Sequence, residues 1–216
     1  MNTKLIIGII ILSLLVIGII LYYLLRGASY TTILCKPTHL INKFNMFISN
    51  TKLPNSIIGN KFTYSLWIYI NNLPENSEWE TNVNYKKSIL FRYGSPNINY
   101  YPKEHRIQIQ MAYKDNLNEI TYYNIDLNNL QIQYWNHLII SLDNRYIDIY
   151  INGERYTSVF LENTPFIFNR NLYIGEKNNN FNGHLHKVKY FNYNFNEYNV
   201  KKIYESEKNS MPVIQY

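Results

Sequence analysis

WNHLIISLDNRYIDIYINGE, residues 135–154, decides how this chain folds. Leu138, Ile140 and Leu142 alternate with His137, Ile139 and Ser141, and Ile147, Ile149 and Ile151 alternate with Asp148 and Tyr150. A period of two sends successive side chains to opposite faces of a strand, so each run reads as a strand with one buried face. Ile139 departs from the pattern, being apolar where a polar residue is due. Asp143-Asn144 separates the two runs closely enough for a hairpin. Asn152-Gly153 is the pair favoured in a type I′ turn, where both central residues take positive φ.

Working outward, Ile107, Ile109 and Met111 alternate with Gln108 and Gln110 in the same way. Further strands are predicted at 62–70, 88–93, 120–127, 155–160, 172–174 and 185–191. Asn178, Asn179 and Asn180, then Asn182-Gly183, break the chain before the last of these. Many short strands separated by turns, with almost no helical periodicity, indicate an all-β sandwich or barrel. One short helix is predicted near the C-terminus: Asn196 can cap it, Glu197 sits in its first turn, and Val200, Ile203 and Tyr204 share a face. Residues 206–216 are expected to form a loosely held tail. There is no internal repeat.

The N-terminus has a different character. LIIGIIILSLLVIGIILYYLL runs from Leu5 to Leu25 without a charge. As a helix it would be roughly 31 Å long, matching a hydrocarbon layer of about 30 Å. Lys4 and Arg26 bracket it, and Tyr22 and Tyr23 fall where aromatic rings prefer the headgroup layer. A cleavable signal peptide has a shorter apolar run. The expectation is therefore a single transmembrane helix at 5–25 with the lipid bilayer as its partner. A stub at 1–4 precedes it and a tether at 26–43 follows. The sandwich then occupies 44–205 and the tail 206–216.

Three segments, in order, resemble the laminin-G-like branch of the concanavalin A-like lectin/glucanase superfamily. Phe62-Thr63-Tyr64-Ser65-Leu66-Trp67-Ile68 is similar to that family's FTxSxWV strand. Residues 135–154 are similar to its WHHVAVTYD…LYVNGE hairpin. Leu172-Tyr173-Ile174-Gly175, then residues 182–192 and the closing helix, are similar to its LYIG…FxGxIDEVRIYN ending. The resemblance implies an antiparallel jelly-roll β-sandwich. The family's IDE stretch is Leu185-His186-Lys187 here, so a cation-dependent role of those acids does not carry over.

The chemistry of catalysis is missing from the pattern. Laminarinase-type relatives use a Glu-x-Asp-x-x-Glu strand, and retaining hydrolysis needs two carboxyl groups about 5–5.5 Å apart. The nearest stretch places Asp148 and Glu154 at opposite ends of a strand running into a turn. No catalytic residue is assigned and no enzyme is expected. Of the five histidines, His39, His105, His137, His184 and His186, only the last two share same-face spacing. They read as two surface histidines on an edge, not as a zinc site needing three or four ligands. No metal or other cofactor is expected.

What remains is recognition. Two segments longer than a hairpin needs, 71–87 and 97–105, carry aromatic residues. The candidate binding residues are Trp79, Tyr85, Tyr100, Tyr101, Asn178, Asn179 and Asn180. Tyr supplies a large contact area at low entropic cost, which suits a protein partner, while rings and amides together suit carbohydrate. Without Lys4 and Arg26 the 21 basic residues fall to 19, against 15 acidic ones, and they are scattered. That argues against nucleic acid. Cys35 is the only cysteine, which excludes an internal disulfide, and no N-x-Ser/Thr sequon occurs among about thirty Asn residues. With a composition rich in Asn, Ile, Tyr and Lys, these features lead to the expectation of a non-catalytic, membrane-anchored recognition or scaffold module. Its expected setting is the internal membrane of a large DNA virus particle, in contact with capsid or other membrane proteins. A carbohydrate-binding lectin and a degenerate glycoside hydrolase are the alternatives.

Overall fold

The structure, a computed structural model, describes residues 3–27, 29–40, 46–71, 85–128, 130–176 and 182–214. Helix α1 (Thr3–Gly27) is followed by β1 (Tyr30–Leu34), β2 (Thr38–Leu40), β3 (Met46–Ile48), β4 (Lys61–Ile70), β5 (Lys87–Phe91) and β6 (Asn97–Tyr101). Then come β7 (Arg106–Lys114), β8 (Ile120–Leu127), β9 (Trp135–Asp143), β10 (Tyr146–Ile151), β11 (Glu154–Phe160), β12 (Leu172–Ile174), β13 (Gly183–Phe191) and helix α2 (Glu197–Glu207). The strands form two antiparallel sheets. One runs β1-β13-β4-β9-β10-β11, with β2 also paired to β13, and the other runs β3-β12-β5-β6-β7-β8.

Alternation builds the core. Phe62, Leu66 and Ile68 of β4, Leu138, Ile140 and Leu142 of β9, and Ile147 and Ile149 of β10 meet Ile98 of β6 and Ile107, Ile109 and Met111 of β7 in one buried cluster. Each such side chain removed from water contributes about 1.5–3 kcal/mol, so the register that turns all of them inward is strongly preferred to a one-residue slip. The predicted turns hold: Asn152 and Gly153 both have positive φ, at 52° and 84°, and Asn144 turns the β9–β10 hairpin at φ 56°.

Ile139 is explained by a second layer. It faces away from the main core and joins Tyr150, Phe191, Phe195 and Val200 in a smaller cluster, with Ile203 packed against it. Helix α2 thus covers the outer face of the seven-stranded sheet. Its start is closed by a capping box between Asn196 and Asn199. Its end is held by Glu207, which accepts from Trp67 Nε1 at 2.7 Å and pairs with Lys189 Nζ at 2.5 Å. His137 lies in the same layer, stacked on Trp67 with centroids 4.5 Å apart and 2.9 Å from Ser65 Oγ through Nε2. The tail is better held than the sequence suggested. Trp135 Nε1 donates to the Pro212 carbonyl at 2.8 Å and Lys187 to Ser210 Oγ at 2.6 Å.

Several expectations are corrected. No helix among the described residues is long and apolar enough to cross a membrane. That overturns the single-pass and virion-membrane localisation, and with it the lipid partnership of Leu5 to Leu25. The segment 26–43 is more than a tether, because β1 pairs with β13 from Tyr30↔Phe191 to Leu34↔Val188. Part of the supposed loop 97–105 is strand β6, inserted between β5 and β7. His184 and His186 are not on an edge either, since β13 is flanked by β4 on one side and by β1 and β2 on the other.

Two outcomes follow. Burial first, then the positive charges of Lys189 and Lys187, lower the His137 pKa from 6.5 to about 3, and its Nδ1 has no hydrogen-bond partner. The folded chain therefore binds fewer protons than the unfolded one between those values. Stability should be full above about pH 6.5 and fall by a few kcal/mol as pH drops toward 3. Urea unfolding at several pH values should show a shallower fall for His137→Gln; an unchanged slope would show that other groups control it. At Gly94, φ is +77° and an added Cβ would lie 2.7 Å from Tyr122 Cε1 and 2.8 Å from Ala112 Cβ. Gly94→Ala should cost about 2–4 kcal/mol in the same assay, combining backbone strain with overpacking.

Candidate functional site

The outer face of the six-stranded sheet has no covering helix among the described elements, and the register assembles an ordered row on it. Phe47 of β3 lies opposite Tyr173 of β12, which lies opposite Phe91 of β5. Phe91 lies opposite Asn97 of β6, Asn97 opposite Gln110 of β7, and Gln110 opposite Asn124 of β8. Their strand neighbours Ile48, Leu172, Ile174, Leu90, Ile98, Ile109 and Ile125 all point into the core. One half of the row is therefore aromatic and the other half amide.

The amides are tied together. Gln110 Nε2 donates to Asn124 Oδ1 at 3.0 Å and to Gln108 Oε1 at 3.2 Å, and its Oε1 accepts from Asn99 at 3.3 Å. Gln108 Nε2 donates in turn to Asp126 at 3.0 Å, and Tyr101 OH donates to Gln108 Oε1 at 3.1 Å. Arg106 pairs with Asp126 at 2.5 Å and lies 4.0 Å from the Tyr101 ring centroid. Such a network fixes side-chain orientations before any ligand arrives. Between the two halves lies a cavity of about 420 Å³, lined by Ser88, Phe91, Tyr93, Asn97, Asn99, Gln110 and Tyr173, with Lys86, Gly175 and Glu176 at the β5 and β12 ends.

The aromatic half continues beyond the row. Phe91 and Tyr93 have centroids 5.1 Å apart, Tyr93 and Phe168 6.1 Å, and Phe168 and Phe166 4.6 Å. Every ring from Phe47 to Phe166 keeps some exposed surface. Their backbone is pinned. Asn97 Oδ1 accepts from the Arg92 and Gly94 amides at 3.1 and 2.6 Å across the β5–β6 turn, which contains a cis Ser95–Pro96 bond. Ser95 Oγ donates to the Phe166 carbonyl at 2.9 Å and accepts from the Phe168 amide at 3.1 Å. Beneath them Arg92 is fully buried. It donates to Tyr64 OH at 3.0 Å and to the Arg170 carbonyl at 3.3 Å, with its guanidinium 5.4 Å from the Tyr190 ring centroid. Burial pushes the Tyr64 phenol well above its usual pKa, so the pair stays a neutral phenol beside a guanidinium.

The residues singled out from the sequence are dispersed. Trp79 and Asn178, Asn179 and Asn180 lie outside the described residues. Tyr85 is half-buried, with the Lys87 ammonium 4.6 Å from its ring centroid. Tyr100 points into the core, where burial pushes its pKa up to about 12. Tyr101 is on the outer face, inside the amide network. The residues missed were Phe47, Phe91, Tyr93, Asn97, Asn99, Gln110, Asn124 and Tyr173. The alternation of Asn97 and Asn99 with Ile98 and Tyr100 was a readable period-two signal.

His184 stacks on His39 with centroids 4.3 Å apart, and His186 is buried on the same strand. Burial lowers the pKa of His184, with a smaller contribution from His39. Among the described residues no group of three His, Cys, Asp or Glu side chains could hold a metal ion.

Comparison with known proteins is consistent with this architecture. The chain is similar to the receptor-binding domain of botulinum neurotoxin D, at 14% identity and TM-score 0.58, covering 83% of this chain and 48% of the other. The serotype G binding domain is similar at 13% identity and TM-score 0.55, covering 85% and 47%. A serotype D ligand-binding domain solved in complex with N-acetylneuraminic acid gives 16% identity and TM-score 0.57, covering 83% and 46%. The chain thus spans about half the length of these structures, and at such identities the likeness is one of fold. No curated protein sequence matches it. The laminin-G-like family model of the concanavalin A-like lectin/glucanases superfamily matches residues 48–201. With that match covering most of its length, the chain belongs to the laminin-G-like family of the concanavalin A-like lectin/glucanase superfamily.

Proposed function

We propose that the chain is a non-catalytic recognition module that binds carbohydrate on the outer face of its six-stranded sheet. The observation that carries this reading is the row in which Phe47, Tyr173 and Phe91 adjoin Asn97, Gln110 and Asn124. Sugars have apolar C–H faces and a rim of hydroxyls. The rings can take the first, and amides, which both donate and accept, can take the second. At about 420 Å³ the cavity falls within the range of small-ligand sites. The amide network supports the reading further, because side chains already held in place lose little freedom on binding.

Its non-catalytic character is supported by the lining, in which Glu176 is the one carboxylate among the described residues; glycoside hydrolysis by the usual route needs two. Asp148 and Glu154 belong to β10 and β11 in the other sheet. The similar neurotoxin domain bound to N-acetylneuraminic acid is a precedent for a sugar ligand on a protein of this fold. A protein-contacting surface, for instance toward a virion shell, would draw on the same exposed rings of Phe47 and Tyr93. It would give the linked amides no particular task.

A glycan array probed with the purified chain should yield at least one oligosaccharide ligand. Tyr173→Ala and Gln110→Ala should each weaken its binding by about tenfold, as expected for losing one stacked ring or one set of hydrogen bonds. Absence of any ligand at millimolar sugar, or binding indifferent to both substitutions, would remove the reading.

A further inference from the structure

The aromatic track is not uniform along its length, and its charged side chains show why. On the Phe47, Tyr173 and Phe91 half, the rings lie beside the cavity and the amides. On the other half a cation is seated over a ring twice. The Arg170 guanidinium lies 5.5 Å from the Tyr93 centroid, and the Lys114 ammonium lies 5.1 Å from the Phe166 centroid. Rings capped in this way offer a positive charge instead of a free stacking surface.

These cations are unbalanced. Elsewhere on the same face Arg106 is matched by Asp126 and Glu104. Arg170, Lys114 and Lys86, by contrast, form no ion pair with a carboxylate among the described residues. Nor are Arg170 and Lys114 on free-moving backbone. The Arg170 carbonyl accepts from the buried Arg92 Nε at 3.3 Å, and Lys114 closes strand β7, paired with Ile120. Phe166, the ring beneath Lys114, is held by Ser95 and by its own amide bond to the Ala112 carbonyl at 2.7 Å. Lys86 and Glu176 both lie at the cavity itself, where a carboxylate accompanies the cation, so the end of the track with cations alone among the described residues is the Tyr93–Phe166 end.

Resting on the carbohydrate reading above, we infer that the ligand is an acidic oligosaccharide, whose neutral sugar occupies the cavity between Tyr173 and Gln110 while carboxylates or sulfates on adjoining units reach Arg170 and, further along the ring track past Phe168, Lys114. The guanidinium can meet such a group with two parallel N–H donors, and the ammonium adds a point charge. The spacing fits adjoining units, because Tyr93 under Arg170 is the immediate neighbour of Phe91 at the cavity wall, 5.1 Å between centroids.

The test uses the full chain and matched oligosaccharides of one backbone, neutral in one arm and carboxylated or sulfated in the other, titrated at low and at moderate salt. The acidic form should bind at least about tenfold more tightly, as expected for a charge-assisted hydrogen bond, and only its affinity should weaken with salt. Arg170→Gln combined with Lys114→Gln should abolish the preference and leave the neutral affinity within about twofold; both side chains are exposed, so the fold should tolerate the change. Equal binding of the two forms, with Tyr173→Ala weakening both, would overturn this inference and leave the carbohydrate reading standing. A preference that survived the double substitution would also overturn it, by tracing the effect to the overall positive charge of the chain. Failure of both forms to bind would remove the carbohydrate reading itself.

Discussion

Each strand sends alternate side chains to a shared interior, and this period of two constrains both faces of a sheet at once. Once Ile98, Ile109 and Ile125 are committed to the core, Asn97 and Asn99, Gln108 and Gln110, and Asn124 and Asp126 have nowhere to go but outward. A slip of one residue in β6 would turn two asparagines into the apolar core and Ile98 and Tyr100 out of it. The apolar area at stake is large compared with the cost of ordering the amides outside. The binding face is in this sense the complement of the core.

The two outer faces are put to different uses. That of the seven-stranded sheet is closed by α2 and by the chain end beyond it. This is why Thr63, Ser65, Trp67 and His137 are buried although they point away from the main core. All but one of their polar atoms are matched within the protein, His137 Nδ1 being the exception. Thr63 Oγ1 donates to the Tyr193 carbonyl, Trp67 Nε1 donates to Glu207, and Ser65 meets His137. On the six-stranded sheet Asn97, Asn99 and Gln108 are buried as well, but Gln110, Asn124 and Asp126 keep exposed surface, and the amides are bonded to one another across three strands. Buried polar groups need partners in either setting, but only in the second are those partners arranged around a cavity.

The departures from expectation have local physical causes. A continuous apolar run reads as an anchor from composition alone, yet no helix among the described residues is long and apolar enough to cross a membrane. Asn and Pro around residues 94–102 look like turn formers, but in β6 the asparagines are outward-facing members of an interior strand. Tyr100 followed the other half of that alternation into the core. His184 and His186 looked like edge residues because nothing near them in sequence announces that β1 and β2 will pair alongside β13.

Local periodicity and turn chemistry therefore settled much of the architecture. The alternation from Trp135 to Glu154, the Asn-Gly turn, the strand led by Phe62 and the cap at Asn196 were all legible, because each depends on side chains a few positions apart. The candidate site was legible only in fragments, such as Gln108 with Gln110 and the outward Tyr101. Phe47, Tyr173 and Phe91 come from three separate stretches, and what makes them a row is strand order and register, which arise from long-range pairing and from burying the opposite face. Pairing between distant segments leaves no mark within either one, so the tertiary structure alone decided which rings adjoin which amides.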